Sequence, residues 1–208
     1  MNVLLIGSGG REHALAWKLS QSPLLGRLYA LPGNPGTASL AENVPLSPDD
    51  HRAVSELIDA KGIGMVVCGP EAPLAEGLMD YLAGRHPDLA LIGPGQSGAR
   101  LESSKEFAKE FMLRHGIPTA RYRSFGSGEV EEAIAFAHSL GLPAVIKADG
   151  LAAGKGVVIA QTHEEAESEI RAMLGGRFGK ASSRLVIEEF LSGIEFSVFV
   201  LTNGDQYL

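Results

Sequence analysis

The first hundred residues alternate short apolar runs with longer segments that are apolar at every third or fourth position. Val3–Ile6 is a continuous apolar run, typical of a strand buried on both faces of a parallel sheet. Further strands are predicted at Arg27–Leu31, Gly64–Cys68 and Leu89–Ile92, with helical segments near residues 14–19, 50–61 and 73–84. This alternation predicts a doubly wound α/β domain with a parallel sheet, of the Rossmann-like kind.

The order of elements changes after Gly93-Pro94-Gly95, which is typical of a linker. Ser103-x-x-Glu106 and Thr162-x-x-Glu165 resemble capping boxes that begin helices, and a third helix is predicted at about Glu129–Leu140. Strands are predicted between and after them at Ala144–Ala148, Gly156–Ala160, Leu185–Glu189 and Phe196–Leu201. We therefore expect two domains, residues 1–102 and residues 103–208, the second an α+β domain with hairpin-like strand pairs.

Three motifs of the first domain fall where predicted strands end. They are Gly7-Ser8-Gly9-Gly10-Arg11-Glu12-His13, Pro32-Gly33-Asn34-Pro35-Gly36 and Gly69-Pro70-Glu71-Ala72-Pro73-Leu74. In doubly wound domains ligands bind at the carboxyl ends of the strands. A glycine loop that opens a helix leaves backbone N–H groups free for an anion, so these loops predict a phosphate-bearing ligand.

A nicotinamide dinucleotide site is the obvious alternative, and the residues disfavour it. Gly7 and Gly9 supply two glycines of the fingerprint, but Glu12 occupies the third position, where it would crowd the packing of helix on strand.

Three single residues in or beside these loops also have interpretations that involve no ligand. His13 fits a helix cap or a packed ring, Cys68 fits a core position, and Glu71 fits either a ligand contact or a structural role.

The second domain concentrates glycines between two predicted strands, in the segment Lys147-Ala148-Asp149-Gly150-Leu151-Ala152-Ala153-Gly154-Lys155-Gly156-Val157. It is not a Walker loop, because Asp149 and Gly156 stand where that motif needs Gly and Ser or Thr. A glycine-rich flap between strands can close over a triphosphate, and Lys147 is placed to neutralise phosphate charge. A mobile surface hairpin is the structural alternative.

The next predicted strand ends with two carboxylates, Glu188 and Glu189, and Glu195 follows seven residues after Glu188. They suit an adenine and its ribose, although exposed acids at a strand end are common in any protein.

Composition narrows the class of partner. The net charge is −7 without a block of Lys and Arg, which disfavours nucleic acid as a partner and favours small-molecule ligands. Cys68 is the only cysteine, so no disulfide framework is expected and a reducing, cytoplasmic compartment is the default. No basic leader and no long apolar stretch is present, which disfavours secretion and membrane insertion.

The motifs, taken together and in order, resemble glycinamide ribonucleotide synthetase, a family of the ATP-grasp superfamily. The likeness rests on the three first-domain loops, on Gly116-Ile117-Pro118-Thr119-Ala120 and on the glycine-rich segment after Lys147. It implies a ligase of purine biosynthesis that joins glycine to 5-phosphoribosylamine through a glycyl phosphate, using ATP with Mg²⁺ (or Mn²⁺). The fold it implies is a Rossmann-like pre-ATP-grasp domain followed by an ATP-grasp domain.

The resemblance also implies roles for individual residues. Those for ATP are Lys105, Lys147, the flap residues Gly150, Gly154, Lys155 and Gly156, then Glu188, Phe190, Leu191 and Glu195. Glu188, Phe190 and Leu191 would hold adenine, and Glu195 the ribose hydroxyls. Gly9, Gly10, Glu71 and Pro73 are candidates for phosphoribosylamine. Ser103 and Ile194 depart from the family pattern, in which Gly and an acidic residue usually stand.

Thr202-Asn203-Gly204-Asp205 predicts a tight turn with a return strand, for which only three residues remain. Since family members are longer, we expect a truncated chain whose metal ligands lie beyond residue 208. Three other interpretations stay open: a non-catalytic nucleotide-binding fragment, an ATP-grasp ligase for another acid and amine, and a nicotinamide oxidoreductase.

Overall fold

The computed structural model describes residues 1–152 and 154–208, and it contains two sheets covered by helices. The strands of the first sheet are β1 (Asn2–Gly7), β2 (Leu28–Pro32), β3 (Glu42–Asn43), β4 (Ile63–Cys68) and β5 (Ala90–Ile92). They pair in parallel in the order β3-β2-β1-β4-β5. The helices of this part are α1 (Gly10–Ser20), α2 (His51–Lys61), α3 (Glu71–Ala75), α4 (Leu78–Arg85) and α5 (Gln96–Ser103). The predicted doubly wound parallel sheet is confirmed.

The central strand β1 explains why the N-terminal apolar run folds as it does. Leu4 and Ile6 pack into one buried cluster with Val66, whereas Val3 and Leu5 pack into another with Ala16 of α1. Successive side chains of a strand point to opposite faces, so a continuous apolar run supplies both faces of a sheet that is covered on both sides. After β3 the chain crosses to the other side of β1 and forms β4, so the strand order reverses at β1. Doubly wound domains bind ligands at such a reversal, outside the carboxyl ends of the strands.

The second sheet is antiparallel and contains β6 (Tyr122–Gly126), β7 (Ala144–Ala148), β8 (Val157–Ala160) and β9 (Arg184–Glu189) in the order β6-β9-β7-β8. Its helices are α6 (Lys105–Arg114), α7 (Val130–Leu140) and α8 (His163–Leu174). The buried side chains of α7 and α8 pack on one face of the sheet against Ile146 and Ile187. The opposite face carries Lys147 and Glu188, because these residues alternate with the core positions.

Several predicted boundaries are corrected. Gly93-Pro94-Gly95, predicted as a linker, lies between β5 and α5 outside any helix or strand, but α5 itself is not anticipated by the sequence pattern. The predicted capping box at Ser103 is wrong by one residue. Ser104 caps α6 instead, with its Oγ accepting a hydrogen bond from the Phe107 backbone N–H. The helix predicted over residues 73–84 is divided at Gly77, whose φ of 85° is left-handed. The domain boundary predicted between residues 102 and 103 stays a prediction, and in the structure these residues form the last turn of α5.

The strand predicted at Phe196–Leu201 is also wrong. Phe196, Val198 and Phe199 are 80–90% exposed and in no strand, since no sheet among residues 1–152 and 154–208 pairs with this segment. The predicted turn after it is confirmed, because Thr202 pairs with Tyr207 in an antiparallel bridge. Strands β3 and β6 are not anticipated by the sequence pattern. Among the described residues, no helix is long and apolar enough to cross a bilayer.

Candidate functional site

A cavity of about 660 Å³ lies between α6, the polar face of the second sheet and the loop that follows β4. Its size is within the range of small-molecule sites. Three lysines and three glutamates line it together with apolar side chains and the glycine-rich loop. The lining residues are Pro70, Glu71, Ala72, Leu101, Glu102, Lys105, Ala108, Lys109, Met112, Lys147, Leu151, Ala152, Gly154, Gly156, Val157 and Glu188.

Glu188 is the charged centre of this cavity. It lies near the end of β9, is buried, and its carboxylate contacts two lysines. Lys109 Nζ is 2.6 Å from Oε2, and Lys147 Nζ is 2.5 Å from Oε1. Two cations on one buried carboxylate leave a net positive charge beside the cavity, which suits an anionic ligand.

Lys105 adds a third cation at the N-terminal end of α6. Its Nζ donates to the backbone carbonyls of Asp149 and Gly150, each at 3.3 Å. Burial lowers the pKa of Lys105, and Lys147 nearby lowers it further, while Asp149 opposes the shift. This ammonium is thus held at the base of the glycine-rich loop by carbonyl oxygens.

Asp149 connects that loop to α6. Its Oδ1 accepts hydrogen bonds from the Glu106 backbone N–H at 2.7 Å and from Ser104 Oγ at 3.1 Å. Its backbone carbonyl accepts one from the Lys105 backbone N–H at 3.2 Å. A carboxylate at a helix N-terminus satisfies free N–H groups and complements the helix dipole. These hydrogen bonds hold the first residue of the glycine-rich loop against the N-terminus of α6.

The glycine-rich loop joins β7 to β8, as predicted, and packs too closely for side chains at its two ends. A Cβ on Gly150 would lie 2.9 Å from Ala181 Cα, and one on Gly156 would lie 2.7 Å from Ala152 Cβ. Gly154 has a φ of 76° and open space around it. Ala153, which belongs to the predicted loop, lies outside the described residues.

The three predicted loops of the first domain meet at the carboxyl end of its sheet. Arg11 donates to the Gly69 carbonyl at 2.6 Å and forms an ion pair with Glu71 at 3.2 Å. Asn34 Nδ2 donates to the carbonyls of Ser8 and Gly9, at 3.0 and 3.1 Å. These contacts join the loops after β1, β2 and β4 into one surface next to the cavity.

The side chain of Glu12 occupies the space that side chains at positions 7 and 69 would need. Its buried carboxylate accepts a hydrogen bond from the Gly9 backbone N–H at 2.7 Å. A Cβ on Gly7 would lie 2.5 Å from Glu12 Cγ, and one on Gly69 would lie 2.1 Å from Glu12 Oε1. The glycines therefore make room for an acidic side chain at the position that a dinucleotide fingerprint reserves for glycine.

The remaining predicted residues divide into two groups. Glu71 lines the cavity, Pro73 is buried in α3, and Gly9 and Gly10 are exposed at the start of α1, where His13 lies against Gly36. Outside the cavity wall, exposed to solvent, are Lys155, Phe190, Leu191 and Glu195.

Sequence reasoning missed Lys109, which the structure places on Glu188. The available signal was its spacing of four residues from Lys105, which puts both lysines on one face of α6.

Cys68 is half-buried, and burial, reinforced by Glu12 and Glu71, raises the pKa of its thiol to about 12. In the described part of the chain, no three His, Cys, Asp or Glu side chains are grouped so as to hold a metal ion.

Comparison with known proteins supports the resemblance. Residues 1–102 match the family model described as phosphoribosylglycinamide synthetase, N domain, and residues 103–208 match its ATP-grasp (A) domain. The chain is 51% identical over 207 residues to phosphoribosylamine–glycine ligase of Haemophilus influenzae, covering 98% of this chain and 47% of that protein. The ligase of Pseudomonas aeruginosa is 52% identical over 213 residues, covering 100% of this chain and 48% of the relative.

Solved structures agree. The crystal structure of phosphoribosylamine–glycine ligase from Thermotoga maritima superposes with a TM-score of 0.78 at 32% identity, over 100% of this chain and 48% of that chain. N5-carboxyaminoimidazole ribonucleotide synthetase from Thermus thermophilus gives a TM-score of 0.63 at 26% identity, over 92% of this chain and 47% of the other. The chain spans about half the length of the curated relatives it matches. The chain belongs to the phosphoribosylglycinamide synthetase family.

Proposed function

We propose that the protein carrying this chain is an ATP-dependent ligase that joins glycine to 5-phosphoribosylamine through a glycyl phosphate. The products would be glycinamide ribonucleotide, ADP and phosphate, in purine biosynthesis. The observation that carries the proposal is the lysine-rich cavity beneath a glycine-rich loop, in a chain about half identical to proteins named phosphoribosylamine–glycine ligase. We propose Mg²⁺ as the ion that accompanies ATP, because triphosphates usually bind with it.

The lysines at the glycine-rich loop suit the phosphates of a nucleoside triphosphate. Lys105 and Lys147 both line the cavity near the start of the glycine-rich loop, and their ammonium groups would neutralise phosphate oxygens. Gly150, Gly154, Lys155 and Gly156 would close over those phosphates, because a loop without bulky side chains lets its backbone N–H groups approach.

Base and sugar would bind at the end of β9. We propose that Glu188 and the backbone of Phe190 and Leu191 hold adenine, and that Glu195 accepts the ribose hydroxyls. Phe190, Leu191 and Glu195 are exposed beside the cavity, so this part of the site would require the segment after β9 to approach the nucleotide.

The amine substrate would bind on the first domain. Gly9 and Gly10 are exposed at the start of α1, and a helix N-terminus suits the phosphate of phosphoribosylamine. The Gly9 N–H is bonded to Glu12, so Gly10 would supply the backbone N–H there and Gly9 the space for the ligand. Glu71 lies on the same surface and also lines the cavity, with Pro73 fixing the turn behind it. This arrangement would bring an amine held by the first domain towards an acyl phosphate formed in the second.

Acyl phosphate chemistry requires little covalent participation by the protein. The described residues would act by positioning the reactants, by neutralising charge and by excluding water while the loop is closed. Exclusion of water matters because an acyl phosphate is readily hydrolysed.

The test is release of ADP with Mg-ATP, glycine and freshly generated phosphoribosylamine, on the chain and on the full-length protein side by side. We expect the full-length protein to release ADP only when both glycine and the amine are present. Lys147→Met should abolish release, whereas Lys18→Met, an exposed lysine of α1 remote from the cavity, should not change it. No release by the full-length protein with these substrates would refute the reaction. Release with another acid or amine would identify a different ligase of the superfamily.

A further inference from the structure

We propose that Lys109 is a positioning residue, the permanent counter-ion of Glu188 that allows Lys147 to leave Glu188 for the phosphates of the nucleotide. The inference rests on the proposed function, since it concerns how the same cavity receives ATP. It starts from one observation, that Glu188 holds two lysines whereas one would balance its charge.

The two lysines differ in how firmly they are held. Lys109 Nζ contacts Glu188 Oε2 at 2.6 Å, donates to Thr119 Oγ1 at 2.7 Å and lies 5.4 Å from the centre of the Tyr122 ring. Its side chain also borders the cavity, but only 10% of it is exposed. Lys147 has Glu188 Oε1 as its ion-pair partner, and its side chain is 27% exposed at the cavity wall. Lys109 is therefore the fixed partner of the carboxylate and Lys147 the accessible one.

The charges explain why a fixed partner matters. A buried carboxylate without a counter-ion is strongly destabilised, and so is any step that strips it of its only cation. If Glu188 had only Lys147, transfer of that lysine to a phosphate would leave such a carboxylate behind. With Lys109 in place, the same transfer leaves a neutral, hydrogen-bonded pair. Lys109 would thus lower the cost of moving Lys147 without touching the nucleotide itself.

This role predicts a particular pattern of ligand affinity. Replacing Lys109 by an uncharged residue should leave Lys147 bound to Glu188 and unavailable to phosphates. The loss should then appear with ATP and be small with adenosine, which carries no phosphate. We expect the ratio of adenosine Kd to ATP Kd to fall at least tenfold in Lys109→Met.

A second substitution should restore the ratio. In the double variant Lys109→Met/Glu188→Gln, no carboxylate remains to hold Lys147, so Lys147 becomes available again. Preference for ATP over adenosine should therefore return towards the wild-type ratio, even if both affinities are lower because Glu188 is a proposed adenine contact. A structural role of Lys109 alone predicts equal losses for both ligands and no recovery.

The experiment is isothermal titration of the full-length protein with Mg-ATP and with adenosine. The variants are wild type, Lys109→Met, Lys109→Gln, Lys147→Met and the double variant. Lys109→Gln removes the charge but keeps a hydrogen-bond donor for Glu188, so it tests the same prediction with less disturbance of the fold. Lys147→Met gives the ratio expected when this lysine contributes nothing.

The outcomes separate the two levels of the argument. Failure of the wild type to bind Mg-ATP would overturn the proposed function. Binding by the wild type, together with an unchanged ratio in Lys109→Gln or Lys109→Met, would overturn only the role of Lys109. A fall of the ratio towards that of Lys147→Met, with recovery in the double variant, would support it.

Discussion

We expect the Asp149 side chain to contribute both to the free energy of unfolding of the protein and to its affinity for ATP. Its carboxylate accepts hydrogen bonds from the Glu106 backbone N–H and from Ser104 Oγ, and its carbonyl accepts from both the backbone N–H and the Nζ of Lys105. The residue stands at the first position of the glycine-rich loop, directly after β7. Asp149→Ala removes the carboxylate contacts and leaves the N-terminus of α6 without this acceptor.

The size of the effect follows from these contacts. A hydrogen bond to a charged group contributes about 1.5–3 kcal/mol, and loss of a helix-capping side chain costs about 0.5–2 kcal/mol. Because both descriptions apply to the same carboxylate, we expect the free energy of unfolding to fall by about 2–3 kcal/mol. For a chain of this length, each kcal/mol lowers Tm by about 2–4 °C, so the expected decrease is about 4–12 °C.

Asp50→Ala is the matched control. Asp50 also caps a helix, accepting a hydrogen bond from the Ala53 backbone N–H at 3.0 Å, but α2 lies in the first domain and does not line the cavity. Its loss should cost about 1 kcal/mol, typical of an N-cap. Both variants exchange an aspartate at a helix N-terminus for alanine, so the difference between them isolates the position beside the loop.

Calorimetry and Mg-ATP titration on both variants provide the measurements. Asp149→Ala should bind ATP about tenfold more weakly, equivalent to about 1.4 kcal/mol, because Lys105 and the loop lose their common anchor. Asp50→Ala should bind ATP like the wild type. Equal ATP affinity in the two variants, or a Tm decrease no larger for Asp149→Ala than for Asp50→Ala, would refute the anchoring role.

Three further outcomes are expected. Because the pKa of Cys68 is about 12, about one thiol in ten thousand is ionised at pH 8, so a disulfide reagent should label it only after unfolding in guanidinium. Burial lowers the pKa of Lys105, so the folded state loses this proton at lower pH than the unfolded chain. The free energy of unfolding should therefore rise with pH between the two pKa values, while ATP affinity falls, and neither dependence should survive in Lys105→Met. Gly7→Ala would place Cβ 2.5 Å from Glu12 at a φ of 126° and should cost about 1–3 kcal/mol in denaturant titration, whereas Gly10→Ala, with open space around it, should be neutral.

The class of fold and the chemistry of the loops follow from the amino-acid sequence alone. The side chains of the apolar run at Val3–Ile6 point alternately to the two faces of the strand, so all of them are buried only when both faces are covered. A parallel sheet with helices on both sides provides that cover. The glycines after β1 and β7 and the lysine at the end of β7 are local signals, because their chemistry depends on residues adjacent in the chain. Helix ends were less certain, and the cap of α6 is Ser104 instead of the neighbouring Ser103.

Which charged side chains contact each other depends on the three-dimensional fold. Lys109 and Glu188 are 79 residues apart, and nothing local to either predicts an ion pair between them. The sequence predicts that Glu12 crowds the helix against the strand, yet Gly7 at the end of β1 and Gly69 directly after β4 leave it space. The segment predicted as a strand at Phe196–Leu201 has the residues of a strand but no neighbour in the described sheets. Strands are completed by hydrogen bonds to residues distant in the chain, and buried charges are balanced in the same way, so both depend on the fold as a whole.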